Sequence, residues 1–263
     1  EGSFRFRIFG KRPVLIKALI IRRIWTWNNR LIPSVFLFFI LPISMFYLVS
    51  LPLKNIIRFS LSEIPYDIWV LPGLLFIIGS FSIYPSIYRD YFEHRLNNKV
   101  LVNISLAPYS KRIIIFSTLV TSLLESFVMI SISIVIYSIF TPFVLDIPNF
   151  LFLCLCLSIY LFILGNFFIF LSIWIDVISI IFLTFLMVFV LIFFGSGFLF
   201  ELSFFPIVIE SILIWSPFAI SFQIFQKFNS TSIIDWTSIF CLIILNYLMI
   251  MVNSYLLKQK LQQ

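Results

Sequence analysis

The sequence predicts an all-α integral membrane protein with six transmembrane helices. Three observations predict this fold class: the composition, six long apolar runs, and the position of the basic residues between those runs. Of 263 residues, 62% are hydrophobic and 11% are charged, whereas a soluble domain carries about 25% charged residues. So apolar a chain has too few polar side chains to cover a folded surface in water. Lipid removes that requirement, so the composition favours a membrane protein.

The six apolar runs are each long enough to cross a bilayer, since about 20 residues of helix span about 30 Å of hydrocarbon. The predicted spans are 31–53, 68–88, 113–140, 150–174, 177–200 and 233–257. Helices are expected because lipid cannot pair with backbone N–H and C=O groups, and the alternating pattern of barrel strands is missing. Residues 31–263 therefore form a six-span transmembrane domain, preceded by a basic cytoplasmic segment at residues 1–30.

The basic residues predict the orientation. Of 18 Lys and Arg residues, fifteen fall in the N-terminal segment, in the loop at 89–112 and in the C-terminal tail, and only Lys54, Arg58 and Lys227 fall on the opposite side. The positive-inside rule then places both termini and the 89–112 loop in the cytoplasm of a multi-pass plasma (inner) membrane protein. Because the basic residues lie at the ends of apolar runs, the net charge of +7 indicates membrane topology and no nucleic-acid partner. No signal peptide is expected, since no short apolar core precedes a small-residue cleavage site.

Residues 11–30 mix apolar and basic side chains and include Trp25 and Trp27. This pattern predicts an amphipathic helix on the cytoplasmic face of the membrane, with its aromatic rings at headgroup level. The alternative is an ordinary basic flank that only sets the topology.

Residues 201–227 are apolar but contain Glu201, Pro206, Glu210 and Pro217. A seventh span here would move the C-terminal lysines outside the cell. We therefore expect an external, re-entrant helical segment, since irregular backbone at membrane depth must be covered by protein. The alternative is an amphipathic helix that lies flat on the outer surface.

Catalytic and metal-binding motifs are missing from the sequence. A phosphate-binding loop needs several glycines before its lysine, and the only Gly-Lys pair, Gly10-Lys11, lacks them. With one histidine, His94, neither a hydrolytic triad nor a zinc-protease helix is expected. We expect no catalytic residue, no metal site and no cofactor on this chain, which is therefore not predicted to be an enzyme.

Glu125 lies near the middle of the third predicted span. A charge at mid-bilayer costs about 2.5–3.5 kcal/mol on insertion scales, so this side chain should face protein or water. Two interpretations stay open: a contact along a substrate path, or a carboxyl group that packs helices together. Asp176 falls in the short turn between the fourth and fifth spans, where we expect it to cap a helix.

Four stretches carry a family resemblance: the basic segment before the first span, YDIWVLPG at 66–73, the loop that ends LAPYSKR at 106–112, and the run from GSGF at 195–198 through Phe205-Pro206 to WSP at 215–217. In this order they resemble the membrane subunits of ABC-2 type exporters, in the branch that exports drugs, lipids and glycolipids. Trp69 stands where that branch usually has Phe, and the usual Leu-Pro before Trp215 is missing.

The resemblance implies a permease subunit that moves an amphipathic, lipid-linked or glycan-like substrate outward. A second copy of the chain, or a related permease, would pair with it, and a separate ABC ATP-binding subunit would hold ATP and Mg. The coupling element would be a short cytoplasmic helix at 91–103, with a solvated loop as the alternative. The expected coupling residues are Tyr91, Phe92, Arg95, Leu96, Lys99 and Val100. The candidate substrate path comprises Glu125, Glu201 and Glu210.

Two rival functions are weighed against an exporter subunit. An ion- or proton-coupled secondary transporter should show paired broken helices and mid-membrane polar residues in both halves, and this sequence offers only Glu125. A membrane scaffold without transport would fail to stimulate any ATPase.

Overall fold

The computed structural model describes residues 12–29, 31–57, 59–60, 65–93, 95, 109–141 and 146–260. Across these ranges the chain is helical, and its β-structure is one isolated bridge between Phe59 and Pro65. Two π-helical turns occur: Phe46–Ser50 joins α2 to α3, and Tyr88–Glu93 extends α4. The helices are α1 Arg12–Asn29, α2 Leu31–Met45, α3 Leu51–Ile56, α4 Tyr66–Ile87, α5 Lys111–Phe140, α6 Ile147–Trp174, α7 Ile178–Gly195, α8 Ile207–Leu213, α9 Pro217–Thr231 and α10 Trp236–Lys260.

Within the described ranges, six helices are long and apolar enough to cross a membrane, which confirms the predicted multi-pass architecture. They are Val35–Ile56, Tyr66–Glu93, Lys111–Phe140, Ile147–Trp174, Ile178–Gly195 and Trp236–Lys260. Two boundaries differ clearly from the sequence prediction. The second span continues through the π-helical turn to Glu93 rather than ending at Tyr88, and the fifth ends at Gly195 rather than at Phe200.

The second span is the centre of the molecule. Its most apolar part is 83% buried and that of the fourth span is 67% buried, against 17%, 28% and 17% for the first, fifth and sixth spans. α4 packs between α5 and α6, and α6 also packs against α9 and α10. The first, fifth and sixth spans therefore present most of their apolar side chains to lipid or to another chain.

Two glycines explain why the fifth span stops early. Gly197 has a φ of +79°, in the left-handed region that a residue without Cβ adopts readily, and α7 ends just before it. The next residues fold back onto α4, so that Phe198 is fully buried. A Cβ on Gly73 would overlap the Phe198 carbonyl oxygen, so α4 needs glycine at that position. The Tyr66 hydroxyl donates a 2.8 Å hydrogen bond to the Leu199 carbonyl oxygen and fixes the same contact.

Ion pairs between connecting segments define two ends of the bundle. At one end, Asp176 pairs with Arg95 at 2.8 Å and with Lys260 at 2.7 Å, which joins the α6–α7 turn to the end of α10. At the other end, Lys54 pairs with Asp67 at 2.6 Å. We call these the Asp176 end and the Asp67 end. The six-span prediction places Arg95, Asp176 and Lys260 on one side of the membrane, and the structure brings them together.

The segment before α10 forms a bent helix pair. α8 and α9 meet at an angle of 91°. α8 is largely exposed: Ile207 is 84% exposed, and Trp215, just beyond the end of the helix, is 80% exposed. In contrast, α9 buries Phe222 and Phe225 against the core. Asp235 then precedes α10, where its Oδ1 accepts a 3.3 Å hydrogen bond from the Ser238 N–H.

We expect Gly73→Ala to destabilise the protein, because the added Cβ forces the backbone at 196–200 away from α4. Overpacking of this kind costs about 1–3 kcal/mol and should lower the midpoint of thermal unfolding in detergent. Gly79→Ala is the matched control, since its Cβ would meet only methyl groups of Leu161 and Ile130, at 3.1 and 3.2 Å. Equal losses in the two variants would contradict a special backbone contact at Gly73.

Candidate functional site

A cavity of about 780 Å³ opens at the Asp67 end. It lies between the first turns of α4 and α6 and the chain from Ser196 to Ser230. The two elements already described make this space: the backbone that folds back after Gly195 forms one wall, and the bent pair α8–α9 forms another. We call it the α9 cavity.

The lining of the α9 cavity combines polar and aromatic side chains. Its carboxylates are Asp146, Glu201 and Glu210, and its side-chain amides are Asn149, Gln223, Gln226 and Asn229. Its rings include Trp69, Phe222 and Phe225. Trp69 and Phe222 meet edge to face, with ring centroids 6.4 Å apart. Such a lining can hydrogen-bond a polar group while it accepts an apolar one.

The described lining residues of the α9 cavity include more carboxylates than cations. Among its described lining residues the cation is Lys227, whose Nζ already pairs with Asp235 at 3.1 Å. Hydrogen bonding from the Ser238 N–H, followed by that from Lys227, holds the pKa of Asp235 below its ordinary value. Three carboxylates therefore face the cavity against one cation that is engaged elsewhere. Within the described part of the chain, no group of three His, Cys, Asp or Glu side chains could hold a metal ion.

The structure brings two of the three predicted path residues together. Glu201 and Glu210 both line the α9 cavity. Glu125 lies elsewhere, between α5 and α1, where it accepts hydrogen bonds from Trp27 Nε1 at 2.8 Å and from the Ser86 hydroxyl at 2.5 Å. The candidate path therefore continues with Glu201 and Glu210, and the contacts of Glu125 are those of a residue that packs helices together.

Glu125 belongs to a buried charge cluster that joins α1 to the bundle. Arg23 pairs with Asp90 at 2.6 Å and with Glu125 at 3.2 Å, and Arg22 also pairs with Asp90, at 2.7 Å. The side chains of Arg23, Asp90 and Glu125 are only 7%, 6% and 14% exposed. At such burial an unpaired charge would be costly, so each charge requires its partner.

The sequence prediction assigned Arg22 and Arg23 to topology and missed Asp90. A signal for the cluster is nevertheless present in the apolar runs. Ser86 and Asp90 lie four residues apart on one face of the second span, and Ser122 and Glu125 lie three apart on α5. Polar side chains with this spacing share a helix face, so they indicate a buried polar contact between the two helices.

Of the six predicted coupling residues, three lie within the described ranges and all three face the protein. Tyr91 is fully buried, with its hydroxyl 2.7 Å from Thr118 Oγ1. Phe92 is 2% exposed and stacks on Tyr88, with ring centroids 5.2 Å apart. Arg95 donates to the carbonyl oxygens of Ile173 and Ile175 at 2.6 and 2.7 Å. Leu96, Lys99 and Val100 fall outside the described residues, and with them most of the predicted 91–103 helix.

Asp176 connects Arg95 to Lys260 rather than capping a helix with its side chain. Hydrogen bonding from Lys260 is the main cause that holds the pKa of Asp176 below its ordinary value, and the charge of Arg95 acts in the same direction. Burial lowers the pKa of the Arg95 guanidinium, and Asp176 offsets part of that effect. The ionised carboxylate therefore stabilises the Asp176 end.

We expect Arg23→Gln to destabilise the protein by about 3–5 kcal/mol, because Glu125 then has no cation and Asp90 loses one of its two short ion pairs. Arg22→Gln should cost less, since the Arg22 side chain is 34% exposed. Adding Glu125→Gln to Arg23→Gln should restore part of the loss. The free energy of unfolding in mixed micelles measures all three, and equal losses for Arg22→Gln and Arg23→Gln would contradict the assignment.

A further prediction concerns how stability depends on pH. Because its pKa is lowered in the folded protein, Asp176 contributes stability above the ordinary aspartate pKa of about 3.9 and loses it as the pH falls through the lowered value. The wild type should therefore be more stable than Asp176→Asn at neutral pH, and the difference should narrow below about pH 4. Lys260→Gln, which removes the main donor, should weaken the same dependence. A stability difference that does not change with pH would contradict this role.

Comparison with protein-family models, with curated proteins and with solved structures finds no match to this chain. The geometry of the α9 cavity, the charge cluster and the six spans is therefore the basis on which a function is argued.

Proposed function

We propose that this chain is the membrane-spanning permease subunit of an ATP-driven ABC-2 type exporter. The observation that carries the proposal is a contact between two of the four stretches on which the resemblance rests. The YDIWVLPG stretch at 66–73 packs on the GSGF stretch at 195–198, through Gly73 against Phe198 and through the Tyr66 hydroxyl bound to Leu199. Residues that resemble one family's motifs at distant positions thus form one contact, and that contact builds a wall of the α9 cavity.

The N-terminal helix fits the interfacial element that such a subunit carries. α1 turns Arg22 and Arg23 toward the bundle, while Ile24 and Trp25 are 56% and 71% exposed on its other side. We assign that apolar side to the lipid interface of the cytoplasmic leaflet, where an indole ring is stable at headgroup level. On this assignment the Asp176 end is cytoplasmic and both termini lie inside the cell.

The bent pair α8–α9 fits a re-entrant segment at the outer surface. With its 91° bend, this segment would return to the outer surface without crossing the membrane. The exposed apolar side chains of α8 suit the outer leaflet. Glu210 reaches the α9 cavity from the same helix, so its carboxylate meets a polar space instead of hydrocarbon, as a charge near lipid requires. In this arrangement the α9 cavity is the external end of the export path.

The substrate is proposed to be amphipathic, whether lipid-linked or glycan-like. The α9 cavity supports this class because amides, carboxylates and aromatic rings line one space. The poorly buried spans α7 and α10 offer apolar surface for a second permease copy. ATP and Mg would reside on a separate ATP-binding subunit, since this sequence has no phosphate-binding loop.

The proposal is tested by purifying the tagged chain from its own membranes and assaying the eluate for a P-loop ATPase and ATP-dependent export. Docking is tested with Leu96→Asp, because Phe92 is buried and its substitution would disturb the fold. Loss of an apolar anchor from an interface costs about 2 kcal/mol or more, so the ATPase should dissociate.

Lys258→Glu is the control for docking, since it alters charge at the exposed end of α10 outside the 91–103 segment. Glu201→Gln with Glu210→Gln should reduce substrate-stimulated ATP hydrolysis while the ATPase stays bound. Purification of an intact, folded chain without any ATPase, and without ATP-dependent flux, would refute the exporter assignment.

A further inference from the structure

A second space in the molecule is a groove that opens sideways between spans. Its volume is about 610 Å³, and it lies between the first turns of α5, the middle of α6 and the middle of α10, with Ile16 of α1 at its margin. Its walls include Ile113, Phe116, Phe162 and Ile243. We call it the α5–α10 groove. It shares no lining residue with the α9 cavity.

The α5–α10 groove opens on the exposed surface of the spanning helices, where the hydrocarbon of the membrane would lie. Phe116, Ile243 and Tyr247 line it and are 46%, 49% and 59% exposed, and all three belong to membrane-spanning helices. Two of its polar side chains are engaged within the protein: the Ser158 hydroxyl donates to the Cys154 carbonyl oxygen at 2.7 Å, and Asn246 Nδ2 donates to the Leu242 carbonyl oxygen at 3.2 Å. The walls between these groups are mainly apolar, and an apolar space does not hold water stably, so hydrocarbon suits them better than water.

One basic side chain, that of Arg112, lies at the α5–α10 groove. Arg112 lies in the first turn of α5 and lines the space. Its side chain is exposed, and among the described residues no carboxylate pairs with it. A guanidinium binds phosphate oxygens in a bidentate way. Basic pockets between transmembrane helices on the cytoplasmic side are typical sites for anionic lipid headgroups.

We propose that the α5–α10 groove binds one anionic glycerophospholipid of the cytoplasmic leaflet, with an acyl chain along Phe116, Phe162 and Ile243 and the phosphate on Arg112. The size of the groove favours a lipid chain over a helix from a second copy, since about 610 Å³ corresponds to only about one turn of a helix that is about 10–12 Å wide with its side chains. The charge of Arg112 favours an anionic headgroup over a zwitterionic one. This site stands independently of the proposed export function.

The test is native mass spectrometry of the full chain released from nanodiscs that contain equal phosphatidylglycerol and phosphatidylcholine. The wild type should retain one phosphatidylglycerol per chain in preference to phosphatidylcholine. Arg112→Gln should reduce this retention about fivefold, the usual effect of one basic residue near an anionic headgroup.

Ile243→Trp should abolish retention of either lipid by filling the groove. Ile244→Trp is the matched control, because Ile244 is the adjacent residue, 57% exposed, and does not line the groove. Circular dichroism and gel filtration test whether each variant folds. If Arg112→Gln does not fold, Ile243→Trp still tests the site independently.

Three results would overturn the proposal. Equal retention of the two lipids by the wild type would remove the role of Arg112. Equal behaviour of Ile243→Trp and Ile244→Trp would place the bound lipid elsewhere. Conversion of a wild-type dimer to a monomer by Ile243→Trp would show that a second copy occupies the groove.

Discussion

The ion pairs of Arg23 with Asp90 and Glu125 join three helices that are distant in sequence, at positions where the packed protein excludes most of the water. Desolvated charges of this kind are tolerated only when each has a partner. The position of α1 against the bundle follows from that requirement, because Arg23 supplies the cation that Glu125 needs. The same requirement turns the polar face of α5 inward and leaves its apolar faces, including Phe116, for lipid. The charge cluster thereby orients α1 and α5 around the buried helix α4.

The number and order of spans could be predicted from the sequence because an apolar run of bilayer length has few alternatives to a helix in lipid. The ends of those spans could be predicted less accurately. Phe198, Leu199 and Phe200 continue the apolar run after Gly195, so hydropathy extends the fifth span through them. The chain instead folds back there, because Gly197 permits a left-handed backbone and α4 offers a close contact at Gly73. The end of this span depends on tertiary contacts, which a hydropathy profile does not reflect.

Part of the candidate site was also accessible from sequence. Glu201 and Glu210 interrupt an apolar segment, and a carboxylate in that setting must reach a polar space, which the α9 cavity provides. Asp146, Asn149 and Gln226 line the same cavity but carried no signal, because their neighbourhood is created by the packing of α6 against α9. For Glu125 the sequence left open whether the carboxylate lines a substrate path or packs helices together. The pairing with Arg23 links two residues that are far apart in the sequence, and no local pattern encodes a contact of that range.

The π-helical turn Tyr88–Glu93 has a consequence for the length of the second span. A π turn holds one residue more than an α turn, and each residue of an α-helix advances the side-chain direction by about 100°. Deleting one residue between 88 and 93 would let the chain close as ordinary α-helix, and because the extra residue of the π turn is the one removed, Arg95 would keep its direction. Adding one residue there would instead rotate Arg95 by that angle, away from Asp176 and from the carbonyl groups of Ile173 and Ile175 that it now binds. The turn from Tyr88 to Glu93 should therefore tolerate the loss of one residue better than the gain of one, although it borders a connecting segment where length changes are ordinarily harmless.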